Sequence, residues 1–307
     1  DLGLGVNPKL IERINKSDYL VLLGGRLSEN PSQGFSLFGI PEHNKRVVHI
    51  HPGPEEIGRI YKPNLGIACS PISFANALNN ALKGLNTKPS SENQINTNQA
   101  HEEYLEWGNM PLEAPNSGVD LTSAFRSLRE NLEPNTIITN GAGNYAVWGH
   151  RLFRFKQFRT QLAPISGSMG YGLPAAIAAK LRHPNQTVIA LAGDGCFQMT
   201  ENEFATAVQY NAAVIVFVID NEMYGTIRMH QHKNYKGKYK HTGLINPDFN
   251  KLAVAMGGQG YTINNTEDFM NIFNDAKDWT SKNNLPALLH IKTGSEMVLP
   301  GKRFNSL

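Results

Sequence analysis

The sequence predicts an α/β protein built on parallel sheets with helices on both faces. Short apolar runs alternate with segments that have helical spacing, and strands separated by helices are typical of parallel sheets. The run at residues 214–219 is apolar at every position, as in a central strand covered on both faces. These two observations fix the fold class, and the individual elements follow from the same patterns.

Residues 1–86 predict a partial Rossmann-like domain. Strands are expected at residues 19–23, 47–50 and 65–68, with a helix at 72–85. Three strands are few for a complete doubly wound domain, so this block looks truncated at its front. Residues 87–115 are rich in Ser, Asn and other polar residues, which predicts an inter-domain linker containing a short helix near residues 101–107.

Residues 116–307 predict a second α/β domain with its own parallel sheet. Its expected strands are residues 136–139, 187–192, 214–220 and 287–292. Its expected helices are residues 171–182, 201–210, 247–256 and 267–280.

Composition excludes several functional classes. A net charge of +3 over 307 residues gives no electrostatic case for nucleic-acid binding. No apolar run approaches the ~20 residues that span a bilayer, so no membrane partner is expected. Two cysteines, Cys69 and Cys196, provide no disulfide framework and fit the cytoplasm. The chain begins with Asp1 rather than Met, and we expect it to be a piece of a longer protein.

Two oxygen-bearing side chains are predicted at one edge of the second sheet. Asp194 follows one strand between Gly193 and Gly195, and Asn221 follows the next strand after an intervening helix. The carboxyl ends of parallel strands meet at one edge, where ligands bind. Mg²⁺ prefers such oxygen ligands, and the glycines allow a phosphate to approach the backbone. The structural alternative is an aspartate that caps a turn.

Three motifs, in order, resemble those of thiamine-diphosphate enzymes of the acetolactate-synthase type. The first is Asn-Gly-Ala-Gly-Asn-Tyr at residues 140–145, and the second is Ser-Gly-Ser-Met-Gly-Tyr-Gly-Leu-Pro at residues 166–174. The third is Gly-Asp-Gly at residues 193–195, continued by Asn-Glu-Met-Tyr-Gly-Thr at residues 221–226. The block from residue 19 to residue 58 is similar to the central domain of the same family.

The resemblance implies a site for thiamine diphosphate and Mg²⁺. Asp194 and Asn221 would give side-chain oxygens to the metal, and Met223 its main-chain carbonyl. Met169 would wedge between the two cofactor rings, with core packing as its alternative. Asn144 and Tyr145 stand where relatives usually have Gln-His and would reach the phosphates. The implied cofactor-binding residues are Asn144, Tyr145, Gly167, Ser168, Met169, Gly193, Asp194, Gly195, Cys196, Asn221, Met223, Tyr224, Gly225, Thr226 and Ile227.

The resemblance also implies a small 2-oxo acid substrate and a homodimer or homotetramer for the full-length protein. In the family, a glutamate on a separate amino-terminal domain protonates the cofactor's aminopyrimidine ring. We therefore assign no catalytic residue to this chain and expect it to be inactive by itself. FAD, which some relatives bind structurally, stays open because much of its site would lie upstream.

The activity and its substrate are open. An acetolactate synthase, a 2-oxo-acid decarboxylase and another carboligase are kept as alternatives for the protein from which the chain comes. Asn30 stands where synthases carry an arginine, and the aromatic residue expected near Met229 is replaced. The segment 230–241 is rich in His and Lys and predicts either a solvated mobile loop or an active-site lid. An NAD-dependent oxidoreductase and a non-catalytic binding module are the distant alternatives.

Overall fold

The computed structural model describes residues 2–3, 5–85, 88–235 and 237–306, and it divides into two compact units. Unit 1 spans Asp1–Asn109 and unit 2 spans Met110–Leu307. The predicted domain boundary at residues 86 and 87, and Lys236 of the predicted loop, lie outside the described residues. Within those ranges no helix is both long and apolar enough to cross a membrane.

Unit 1 contains a three-stranded parallel sheet in the order β1-β2-β3. Its core is a small cluster around Leu37, Phe38 and Tyr61, against which Leu20 of the first strand packs. The first and last of these strands have the predicted bounds, and the middle strand is one residue longer at each end than predicted. The elements are α1 (Pro8–Lys16), β1 (Tyr19–Leu23), β2 (Arg46–His51), β3 (Leu65–Ala68), α2 (Pro71–Leu82) and α3 (Ser91–Asn109).

Helix α3 occupies most of the predicted linker and is longer than the short helix expected there. Side-chain contacts support it rather than an apolar stripe. The Ser90 hydroxyl accepts a hydrogen bond from the Asn93 N–H at 3.1 Å, which caps the helix. Glu103 on the same helix pairs with Arg13 of α1. A polar helix of this kind lacks the periodicity that marks helices in a sequence.

Unit 2 contains a six-stranded sheet in the order β5-β4-β6-β7-β9-β8, with every pairing parallel. Its strands are β4 (Ile137–Asn140), β5 (Gln161–Leu162), β6 (Val188–Gly193), β7 (Ile215–Asp220), β8 (Gln259–Ile263) and β9 (Ala287–Lys292), followed by the hairpin β10 (Met297–Leu299) and β11 (Lys302–Arg303). Its helices are α4 (Leu121–Asn131), α5 (Ala146–Leu152), α6 (Gly172–Arg182), α7 (Asp194–Phe197), α8 (Glu203–Gln209), α9 (Gly225–Tyr235), α10 (Phe249–Ala255) and α11 (Phe269–Asn283).

Two apolar clusters cover the two faces of this sheet, and they confirm the predicted fold class. On one face the rings of Phe269 and Phe273 from α11 pack edge-on against Phe217 of β7, at 5.8 and 5.9 Å between centroids. On the other face Phe197 packs edge-on against Phe249 of α10. Because both faces are covered, the central strands are apolar at nearly every position.

Unit 2 differs from the sequence prediction in several elements, since α4, α5, β5 and β8 were not predicted and α9 was predicted in part as a loop. Strand β8 was not predicted, because its segment Gln-Gly-Tyr-Thr-Ile follows two glycines and lacks an apolar run. The segment from residue 230, predicted as a solvated mobile loop or an active-site lid, is helical as far as Tyr235. The loop prediction was therefore wrong for residues 230–235, and the lid stays a prediction. Met229 on α9 is buried and anchors the helix, while the charged residues beyond it face away from the core.

Helix α6 approaches the sheet closely because its first residue is Gly172. A Cβ at this position would lie 3.0 Å from the backbone atoms Gly141 N and Leu191 O. We therefore expect Gly172→Ala to lower the free energy of unfolding by about 1–3 kcal/mol, since backbone cannot move aside. Gly25→Ala is the matched control, because a Cβ there would meet no atom within 4 Å. Urea unfolding of both variants checks this, and equal effects would contradict it.

Candidate functional site

The candidate site lies where β6 and β7 end side by side. Strand β6 leads directly into α7, which begins at Asp194, and β7 ends at Asp220, followed by Asn221. The two chain segments leave neighbouring strands at the same edge of the sheet, as the sequence predicted. A cavity of about 240 Å³ opens there.

All the predicted cofactor-binding residues except Ser168 line this cavity. Ser168 is exposed, and its hydroxyl lies 2.8 Å from the hydroxyl of Ser166 instead. Met169 lines the cavity and also packs against the apolar cluster that contains Phe217, on one face of the sheet. Three lining residues were not predicted. They are Ala142, Gly143 and Ile219.

The carboxylate of Asp194 is buried, with 2% of the residue exposed. Its Oδ1 accepts the Gly195 N–H at 2.8 Å, and its Oδ2 accepts the Asn246 amide at 2.8 Å. Burial raises the pKa of Asp194 from 3.8 to about 6; these two hydrogen bonds oppose the rise, and the nearby Asp220 carboxylate adds to it. Keeping Asp194 ionised in the folded protein therefore costs free energy, and a bound cation would offset that cost.

Asp220 has the opposite electrostatic character. Its Oδ2 accepts from His290 at 2.7 Å and from Lys292 at 2.6 Å, while its Oδ1 accepts from the Glu222 N–H at 3.0 Å and from Asn246 at 2.8 Å. Burial alone would raise the pKa of Asp220, but the hydrogen bonds from His290 and Lys292 outweigh it and hold the pKa well below 3.8. This carboxylate is paired with protein donors at both oxygens.

The loop after β7 holds the other two predicted metal ligands. Asn221 faces the cavity, and its side chain makes no hydrogen bond within the described ranges. Glu222 adopts a positive φ of 57°, and its carbonyl accepts the Leu244 N–H at 2.9 Å. The Met223 carbonyl accepts the Gly225 N–H at 2.9 Å and keeps a second lone pair. The turn thus presents an amide side chain at position 221 and a carbonyl at position 223, on either side of Glu222.

Glycines form the floor of the cavity because aromatic rings lie against them. A Cβ on Gly193 would lie 2.9 Å from the Tyr145 ring, and one on Gly195 would overlap the ring of Tyr224. The Tyr145 hydroxyl donates to Cys196 Sγ at 3.2 Å. Burial raises the pKa of Tyr145 well above 10, so the hydroxyl stays protonated and keeps this hydrogen bond.

Asn144 connects the glycine-rich loop to helix α9. Its Oδ1 accepts the Thr226 hydroxyl at 2.9 Å, and its own N–H donates to the same hydroxyl oxygen at 3.0 Å. Its Nδ2 lies 3.7 Å from Met229 Sδ. The polar groups of Asn144 and the Tyr145 hydroxyl are thus engaged within the protein. Their contact with a terminal phosphate stays a prediction.

Sequence reasoning missed the buried polar network next to Asp194. Two of its members carried a signal: His290 and Lys292 interrupt an otherwise apolar strand, and Lys292 pairs in register with Asp220. Asn246 carried none, because Asn-Pro-Asp before a helix is typical of a capped turn. Only the folded chain brings Asn246 between the two carboxylates.

The residues present fit a hard divalent cation. A buried carboxylate with neutral donors only, an amide without a hydrogen-bond partner among the described residues, and a loop carbonyl form an oxygen donor set. The described residues contain no group of three His, Cys, Asp or Glu side chains that could hold a metal. A site built on one carboxylate suits Mg²⁺, which completes its octahedron with water and phosphate oxygens.

Two family profiles and several named relatives match the chain. The thiamine pyrophosphate enzyme C-terminal TPP binding domain matches residues 141–291, and the central domain of thiamine pyrophosphate enzymes matches residues 1–78. An acetolactate synthase large subunit of Pyropia yezoensis is 30% identical over 298 residues, covering 94% of this chain and 49% of that protein. A mitochondrial acetolactate synthase catalytic subunit of Aspergillus candidus is 37% identical over 182 residues, covering 59% and 26%.

The match extends along most of the chain but not along most of the relatives. A mitochondrial acetolactate synthase catalytic subunit of Saccharomyces cerevisiae is 28% identical over 301 residues, covering 94% of this chain and 42% of that protein. The chain therefore spans about half the length of the curated relatives it matches. With a central domain followed by a TPP binding domain, the chain belongs to the thiamine pyrophosphate enzyme family.

Proposed function

We propose that the cavity at the ends of β6 and β7 holds the diphosphate of thiamine diphosphate through Mg²⁺. Asp194 and Asn221 would give side-chain oxygens to the metal, and Met223 its carbonyl. The observation that carries the proposal is the position of Asp194 and Asn221 at neighbouring strand ends beside one glycine-floored cavity. The match of residues 141–291 to a TPP binding domain supports it.

The protein's task in this proposal is to bind and orient the cofactor. Thiamine diphosphate supplies the electron sink for carbanion chemistry when it is bound. Met169 and Ile227 would form apolar walls beside the rings, and both line the cavity. The hydrogen bond from the Thr226 hydroxyl to Asn144 Oδ1 would keep the first turn of α9 at the cavity edge. The cavity is smaller than the roughly 300–1,000 Å³ of typical ligand pockets, so the site would enclose only part of the cofactor.

For the whole protein we propose action on small 2-oxo acids by decarboxylation and carboligation, as the names of the acetolactate synthase relatives suggest. A 2-oxo-acid decarboxylase, or another carboligase, is the alternative within the family. Asn30 and the residues near Met229, which differ from the synthase pattern, favour a changed substrate. Product analysis with pyruvate and a second 2-oxo acid, on the full-length protein, distinguishes these activities.

The proposal extends to organisation and environment. Residues 1–86 would be a partial central domain, 87–115 the connection, and 116–307 the diphosphate-binding domain. Within the described residues the two cysteines are free, which supports a reducing compartment. A homodimer or homotetramer of the full-length protein is part of the proposal, and light scattering tests it.

Calorimetric titration of thiamine diphosphate into the protein tests the site directly. We expect saturable binding in the presence of Mg²⁺ and none in EDTA, because Asp194 and Asn221 would hold the cation that neutralises the diphosphate. Binding that is equally strong in EDTA would remove the metal from the proposal. Absence of binding to both this chain and the full-length protein would overturn the proposal.

A further inference from the structure

Asn246 lies between the two buried carboxylates at the strand ends, and its orientation is fixed. Its Nδ2 donates to Asp194 Oδ2 and to Asp220 Oδ1, both at 2.8 Å. Its Oδ1 accepts from Gln198 Nε2 at 3.0 Å. Only the NH₂ group can donate to both carboxylates, so the amide has one consistent orientation. One side chain from the loop before α10 therefore links the ends of β6 and β7.

The two carboxylates differ in what surrounds them. Asp220 has cationic and imidazole partners in Lys292 and His290. Within the described part of the chain, Asp194 has no ion pair, and its hydrogen bonds come from neutral groups, the Gly195 N–H and the Asn246 amide. A lysine or arginine in place of Asn246 would neutralise Asp194. The amide instead fixes the carboxylate and leaves its negative charge for a cation.

We propose that Asn246 is a positioning residue of the metal site, which holds the Asp194 carboxylate in place for Mg²⁺ without neutralising it. The inference rests on the proposed function, because it assigns the cation to Asp194. Outer partners of metal-binding carboxylates act by fixing the orientation of the ligand, and their loss typically costs about 10–100-fold in metal affinity. Gln198 would act one step further out, by fixing the Asn246 amide.

The test compares the Mg²⁺ concentration that gives half-maximal thiamine diphosphate binding in wild type and in Asn246→Leu. Leucine keeps the branching at Cγ and has no donor, so we expect this concentration to rise about 10–100-fold. Asn250→Leu is the matched control. Asn250 is also half-buried, lies on the adjoining helix α10, and donates to the Thr262 hydroxyl at 3.1 Å, away from both carboxylates. We expect its Mg²⁺ dependence to equal that of wild type.

A second variant keeps the test decisive if Asn246→Leu does not fold. Gln198→Leu leaves both donors of Asn246 in place but frees the amide to rotate, so we expect a smaller rise in the same direction. Thermal unfolding without metal separates a merely structural role, which would lower the melting temperature and leave the Mg²⁺ dependence unchanged. That result in folded variants would overturn the inference while wild-type binding upholds the proposed function. Absence of Mg²⁺-dependent binding to both the wild-type chain and the full-length protein would overturn the inference and the proposed function together.

Discussion

Replacing Asp194 by asparagine is expected to stabilise the metal-free protein at pH 8 while abolishing Mg²⁺-dependent binding of thiamine diphosphate. A pKa raised from 3.8 to about 6 corresponds to about 3 kcal/mol of cost for the ionised carboxylate in the fold. Asparagine avoids that cost but faces the Asn246 NH₂ with its own NH₂, which loses one hydrogen bond worth about 1 kcal/mol. An unsatisfied buried donor can cost up to about 3 kcal/mol, so the expected net gain is at most about 2 kcal/mol.

The pH dependence of this gain has a definite sign. The folded state binds the Asp194 proton more tightly than the unfolded chain, so the free energy of unfolding falls as the pH rises from about 4 to about 6. The advantage of Asp194→Asn should therefore grow over that window and vanish below it. Urea unfolding in EDTA at pH 4.5 and pH 8 measures the difference. A variant less stable than wild type at pH 8, or one that still binds the cofactor with Mg²⁺, would contradict the assignment.

The same substitution on the neighbouring strand, Asp220→Asn, is expected to have the opposite effect on stability. Asp220 is fully buried and accepts four hydrogen bonds, from Glu222, Asn246, His290 and Lys292. Asparagine offers one oxygen, and its NH₂ would face donors on the other side. Breaking a buried charged network by removing one partner costs about 3 kcal/mol, so we expect a loss of that size at pH 7.

The low pKa of Asp220 gives this loss its own pH dependence. A carboxyl whose pKa falls on folding stabilises the protein above its unfolded pKa of 3.8, and that contribution disappears as the pH falls further. Asp278→Asn, on the exposed side of α11, is the control and should change stability by less than about 0.5 kcal/mol. Equal and small effects at positions 220 and 278 would show that the network does not stabilise the fold.

The sequence by itself determined the fold class and the sheet edge at which the candidate site lies. Strand β7 is apolar at every position before Asp220, and this pattern is typical of a strand whose two faces are both covered. Parallel strands end at one edge, so the sequence positions of Asp194 and Asn221 predicted their common location without knowledge of strand order. These features depend on runs of a few neighbouring residues, so they can be recognised in the sequence without knowledge of the tertiary structure.

Tertiary structure decided what local patterns cannot encode. Strand β8 has too few apolar residues to be recognised, yet it forms because α10 and β9 pack against it. The sequence of the second half of helix α9 is that of a polar loop. The segment is helical because Met229 is buried and the Thr226 hydroxyl donates a hydrogen bond to Asn144.

Asn246 lies 52 positions from Asp194 and 26 from Asp220, and nothing near it in the sequence marks it as their partner. Its role depends on which strands are neighbours and on the path of the loop before α10. Hydrogen bonds between groups distant in sequence are set by strand order and loop path. For that reason the proposed metal ligands could be named from the sequence, whereas the contact of Asn246 with both carboxylates could be found only in the folded chain.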